Sequence, residues 1–114
     1  MEHSRTREWL TGLNSLGKVV LAINQNNGWN CTVPADWSDT YKIPAILALV
    51  GTEVSEAVEA FRHDDKDNFA EELADVVIRV LDCAAGLEID LESAIAAKLT
   101  RNTERGYRHG GKRV

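Results

Sequence analysis

Two pairs of carboxylates, Glu53 with Glu56 and Glu72 with Asp75, recur at i,i+3 spacing within the stretch EVSEAVEAFRHDDKDNFAEELADVVIRVLD. On a helix, at about 100° per residue, each pair sits at one edge of an apolar arc. Leu47, Val50, Val54, Val58 and Phe61 form the first arc, and Phe69, Leu73, Val76, Val77, Val80 and Ala84 the second. If the two arcs pack together, the acid pairs meet face to face at the end of the interface. Four carboxylates held together and partly desolvated repel one another, and a divalent cation relieves that repulsion. A cluster of oxygen donors alone suits Mg²⁺ or Mn²⁺, whereas Zn²⁺ calls for histidine and cysteine. The plainer reading is solvated decoration: glutamate is a good helix former, and Glu59 and Glu71 point to solvent on the same wheels. Both readings are open at this stage.

The elements that must position these acids follow from the apolar period. Trp9, Leu13, Leu16, Val20 and Ile23 recur every three or four residues and predict a helix over about 6–26, stopped by Asn27-Gly28. The segment GWNCTVPADWSDTYK has no period and reads as a loop. Pro44 suits the first turn of a second helix running over 44–63. Asp67 is the expected cap of a third helix over 68–85, ended near Gly86, and Asp90 of a fourth over 91–105. The expectation is an all-α domain of four helices spanning 1–114, with a basic tail over 106–114.

Composition narrows the function. A chain of 114 residues that is 44% hydrophobic and 27% charged suits one compact domain. So short a chain buries a limited share of its surface, and self-association is a natural way to complete its core. Thirteen basic residues against 18 acidic ones give a formal net charge of −5, which argues against a nucleic-acid binder that relies on a basic surface. The basic residues concentrate in KLTRNTERGYRHGGKRV, so that a cationic wall can stand opposite an anionic one. Cys31 and Cys83 have neither metal-ligand spacing nor a disulfide framework and read as small buried thiols. No membrane span or signal peptide is expected, and the chain reads as cytoplasmic.

The stretches ALVGTEVSEAVEAFR and NFAEELADVVIRVLD resemble the E-x-x-E and E-x-x-D signature of MazG-type nucleotide pyrophosphohydrolases, of the all-α NTP pyrophosphatase superfamily. KLTRNTERGYRHGGK is similar to the basic segment that follows the third helix in many members, so the likeness covers about residues 43–112. The resemblance implies a four-helix bundle completed as a homodimer or a dimer of dimers. It also implies Mg²⁺-dependent cleavage of (deoxy)nucleoside triphosphates to the monophosphate and pyrophosphate, for house-cleaning or nucleotide-pool control.

Carried over by position, Glu53, Glu56, Glu72 and Asp75 become metal ligands, with Glu56 or Glu53 orienting or deprotonating the attacking water. Lys98, Arg101, Asn102 and Arg105 share one helical stripe, from which Lys98, Asn102 and Arg105 are chosen as phosphate contacts. Tyr107, His109 and Lys112 extend that polar surface. Arg79, one turn beyond Asp75, pairs with the acids or reaches a phosphate. Trp29, ahead of Trp37 and Tyr41, is the candidate stacking surface for a base. His63 could border the base, and Asn24, Gln25, Asn26 and Asn30 could meet its edge. Three rivals are a phosphoribosyl-ATP pyrophosphohydrolase-like enzyme, a non-catalytic helical interaction module and a di-iron bundle. The last expects Glu-x-x-His ligands, which neither acid pair provides.

Overall fold

The computed structural model describes residues 12–29 and 32–105. The described residues contain four α-helices and no strand: α1 (Leu13–Asn26), α2 (Lys42–Arg62), α3 (Lys66–Gly86) and α4 (Leu91–Arg105), with a 3₁₀ turn at Pro34–Ser38 between α1 and α2. No described helix is long and apolar enough to cross a membrane. Leu16–Ile89 forms one compact unit, while residues 12–15 and α4 belong to a second.

Three helices end alike, and the shared ending sets their lengths. At the end of α1, Trp29 N–H donates to Asn24 C=O at 3.0 Å and Gly28 N–H to Gln25 C=O at 3.0 Å. Asp65 and Asp64 repeat the pattern onto Ala60 and Phe61 after α2, as do Ile89 and Glu88 onto Ala84 and Ala85 after α3. This paired closure needs one left-handed residue. Gly28 (φ 73°) supplies it in α1, but Asp64 (φ 54°) and Glu88 (φ 59°) supply it in the others.

Several predicted boundaries shift. Gly12, at φ 102°, is not helical and α1 starts at Leu13; the predicted turns over 6–11 lie outside the described residues. The third helix begins two residues early because Asp65, rather than Asp67, is its cap: its carboxylate accepts the Asn68 N–H at 3.1 Å. Asp67 instead sits in the first turn, where a negative charge suits the helix dipole. Asp65 thus closes α2 with its N–H and opens α3 with its side chain. That leaves only His63–Asp65 between the helices, a connection short enough to make them an antiparallel hairpin.

The segment expected as a loop is held by two aspartates. Asp36 accepts the Val33 N–H at 2.8 Å and lies 2.7 Å from Lys42 Nζ. Asp39 accepts the N–H groups of Tyr41 and Lys42, both at 2.9 Å, and so launches α2.

What is buried differs from what the wheels suggest. The closest-packed residues of α2 and α3 are Ala57, Ala60, Leu81 and Ala84, whereas Val54, Val58, Phe61, Leu73, Val77 and Val80 are exposed. Small side chains let two helices approach closely, and the hairpin closes along that small-residue seam. A Cβ at Gly17 of α1 would meet the Ala85 and Leu81 side chains of α3 at 3.4 and 3.9 Å, so the glycine lets the two helices come close. Gly86 lies so close to the Thr32 backbone that a Cβ there would overlap it. In the second unit, Asn14 and Glu92 exchange hydrogen bonds at 2.6 and 3.2 Å, and Asp90 caps α4 through the Ser93 N–H at 3.1 Å.

Candidate metal centre and adjoining pocket

Because the hairpin closes on its small-residue seam, Glu53 is taken inside it, while Glu72 is half-buried and Glu56 and Asp75 stay at its rim. Glu53 is 7% exposed, on the same face of α2 as Ala57 and Ala60. Glu56 stands one turn further along α2, and Glu72 projects from the facing helix α3. Each of the three offers a carboxylate oxygen within 4.8 Å of the others.

That proximity has an electrostatic cost, and the chain offsets only part of it. Arg79 Nε donates to Glu53 Oε1 at 3.0 Å. The guanidinium is the first cause holding the Glu53 carboxyl below the usual range, against the effect of burial. Glu72 has no such partner. Its neighbour Glu56 first, then burial, then Glu53 push its pKa up to about 7. Glu53 Oε2 and Glu72 Oε2 are buried without a hydrogen-bond partner. Buried oxygens left unpaired beside one another fit the need of a hard divalent cation, so the residues suit Mg²⁺ or Mn²⁺.

Asp75 stands apart from this trio. It lies one turn beyond Glu72, on a side chain shorter by one methylene, and lines the pocket next door. The pocket encloses about 460 Å³, in the range that holds a small ligand. Glu53, Asp75 and Arg79 form its acidic end, and Asn24, Trp29, Ile78 and Asp82 the remainder. The candidate cation cluster and the candidate base platform, Trp29, therefore border one cavity.

The other sequence candidates distribute less tightly. His63 lies 3.3 Å from Glu59 at the end of α2 and does not line the pocket. Trp37 lines a separate hollow of about 190 Å³ with Leu87 and Ile89, and Tyr41 is exposed. Lys98, Asn102 and Arg105 are exposed on α4. Asn30, Tyr107, His109 and Lys112 lie outside the described residues.

Asp82 is the residue that sequence reasoning passed over. Burial raises its pKa, a hydrogen bond from Asn24 and the charge of Arg79 oppose that rise, and its Oδ1 is buried without a partner. A signal existed: Asp82 is seven residues past Asp75 and so within about 20° of it on the wheel.

The family model of the MazG nucleotide pyrophosphohydrolase domain matches residues 42–107, more than half of the chain. The chain belongs to the MazG nucleotide pyrophosphohydrolase family. The matched range holds α2, α3 and α4, and so every acid of the cluster and all of the pocket except Asn24 and Trp29. No curated protein and no solved structure matches the chain. In this MazG domain, three of the four paired acids converge through α2 and α3, while Asn24 of α1 joins the lining of the adjoining pocket.

Proposed function

We propose that this MazG-family protein hydrolyses (deoxy)nucleoside triphosphates to the monophosphate and pyrophosphate with Mg²⁺, in nucleotide-pool control or house-cleaning. The observation that carries the reading is the trio Glu53, Glu56 and Glu72, with two buried unpaired oxygens, beside a pocket of nucleoside size.

The residues take distinct tasks. Glu53, Glu56, Glu72 and Asp75 would hold Mg²⁺, which when bound neutralises triphosphate oxygens and the charge that grows on the departing pyrophosphate. Glu53 is engaged by Arg79, which leaves Glu56, exposed to solvent, as the better group to orient an attacking water and take its proton. Arg79 stands at the acidic end of the pocket, where its guanidinium can turn to a phosphate. Lys98, Asn102 and Arg105 are assigned to the phosphates from their common stripe on α4 and the family's basic segment. Trp29 gives the base a flat face to stack on.

Self-association as a homodimer or a dimer of dimers belongs to the same reading. The buried apolar core of the described residues is Val20, Ala57, Ala60, Leu81 and Ala84, while Phe61 is 74% exposed amid Val54, Val58, Leu73 and Val77. An apolar surface on that scale calls for a covering partner, and a second copy supplies a matching one.

The deciding experiment is pyrophosphate release from a panel of nucleoside triphosphates with and without Mg²⁺, for wild type, Glu56→Gln and Glu72→Gln. Cleavage that needs the metal and is lost in both folded variants supports the reading. Mg²⁺ binding without cleavage of any triphosphate or of phosphoribosyl-ATP would leave a non-catalytic carboxylate module.

A further inference from the structure

The far wall of the pocket is built for hydrogen bonding rather than for phosphate. Asn24 is 9% exposed near the end of α1 and Asp82 comes from α3; burial raises the Asp82 pKa and the hydrogen-bonding influence of the nearby Asn24 side chain opposes that rise. Both residues line the cavity that Glu53 and Asp75 bound at the other end. Asp82 Oδ1 is shielded from bulk water and has no partner. A buried acceptor without a partner is costly, and a donor on a ligand that reached the Asp82 carboxylate would relieve that cost. The pocket lining therefore holds a carboxylate acceptor, Asp82, with Asn24 and Trp29 bordering the same cavity.

We infer that the Asn24–Asp82 pair is a specificity determinant that selects nucleobases carrying an exocyclic amine over their oxo counterparts. The inference rests on the nucleotide reading of the site. A triphosphate drawn to the acids and Arg79 puts its base toward the opposite wall, beside Trp29. An amino group there can donate to the Asp82 carboxylate. An oxo group at the same position places oxygen against the Asp82 carboxylate and leaves it unpaired, a mismatch that polar pockets discriminate against strongly.

The test uses matched pairs that differ only in amine against oxo, dCTP with dUTP and dATP with dITP, and compares kcat/KM ratios for wild type, Asp82→Asn and Asn24→Ala. Wild type is expected to favour the amino member of at least one pair by about tenfold or more. Asp82→Asn, of the same shape but bearing N–H donors, is expected to level or invert that ratio, and Asn24→Ala to weaken it. Calorimetric Mg²⁺ binding confirms that each variant keeps its cation cluster. A wild-type preference for the oxo member, or a ratio that Asp82→Asn leaves within twofold, overturns the inference. Equilibrium binding of dCMP and dUMP separates this from failure of the catalytic reading. An Asp82-dependent preference for dCMP in a protein that cleaves nothing keeps the inference and sinks the enzyme, while equal binding or none overturns the inference.

Discussion

Arg79 Nε lies 3.0 Å from Glu53 Oε1 and so bridges α3 to α2 at the most buried acid of the cluster. The pair does two things at once. It offsets one of three crowded carboxylates, and it leaves Glu72 as the member whose charge is unbalanced.

Removing that bridge should therefore expose the repulsion it hides. Arg79→Ala is expected to lower the melting temperature of the metal-free protein and to make the melt more responsive to Mg²⁺, because the cation then supplies the positive charge that Arg79 no longer provides. Differential scanning calorimetry in EDTA and in Mg²⁺ reads both effects. An unchanged metal-free melt would mean that the bridge is incidental.

The Glu72 carboxyl sets a pH dependence with a definite sign. Its folded pKa of about 7 lies above the ordinary value of 4.5, so folding takes up a proton. The stabilisation from that uptake is complete below about 4.5 and is lost as pH rises through about 7. In EDTA, the melting temperature of wild type should fall over this window relative to Glu72→Gln. Mg²⁺ affinity should rise over the same window and level off above it, with proton release seen as a buffer-dependent binding enthalpy. Asp36 and Asp39, whose pKa values are lowered first by hydrogen bonds that Lys42 donates, contribute stability that is lost only at pH below 3.8 and do not obscure the slope.

The two aspartates at the hairpin should differ sharply. Asp65→Ala removes the carboxylate that accepts the Asn68 N–H and should cost about 1 kcal/mol in chemical denaturation. Asp67→Ala removes only a favourable charge in the first turn and should cost a few tenths of that. Equal effects would return the cap to Asp67.

At Gly86 the backbone leaves no room. A Cβ there would fall 2.6 Å from Thr32 Cβ and 2.8 Å from its carbonyl carbon, and backbone atoms cannot move aside as a side-chain tip can. Gly86→Ala should destabilise by roughly 3 kcal/mol, whereas Glu88→Gly, at φ 59°, should stabilise by about 1 kcal/mol. Urea unfolding of both variants gives the two signs together.

Covering of the exposed apolar face is tested by charge. Phe61→Glu combined with Val58→Glu puts two acids on that surface and should reduce the mass measured by light scattering to that of a monomer, with a lower melting temperature. A wild-type protein that is already monomeric would overturn the self-association.

Much of this was legible in the residues. The three-and-four period of Val54, Val58, Phe61, Leu73 and Val77 identifies helices wherever those residues finally point, since the period reports the backbone and the need to be covered. Asp90 at a polar break followed by LESAIAAKL identifies the last helix start, because capping depends on a local hydrogen bond. The acid pairs were visible for the same reason: i,i+3 spacing guarantees neighbours on one helix.

Which face meets which neighbour was not local, and only the tertiary structure decided it. Ala57 and Ala60 carry little hydrophobic weight on a wheel, yet their small size makes them the seam along which α2 and α3 close, and this takes Glu53 inside. The reach of Arg79 across 26 residues to Glu53, and the meeting of Asn24 with Asp82 on one pocket wall, depend on that seam and on Gly17 admitting α1 against Leu81 and Ala85. The sequence by itself determined four helices and the acids they carry, through interactions a few residues long. The fold decided which of those acids share a charge problem, because electrostatic cost depends on distance and burial, and both are properties of packed helices rather than of any one of them.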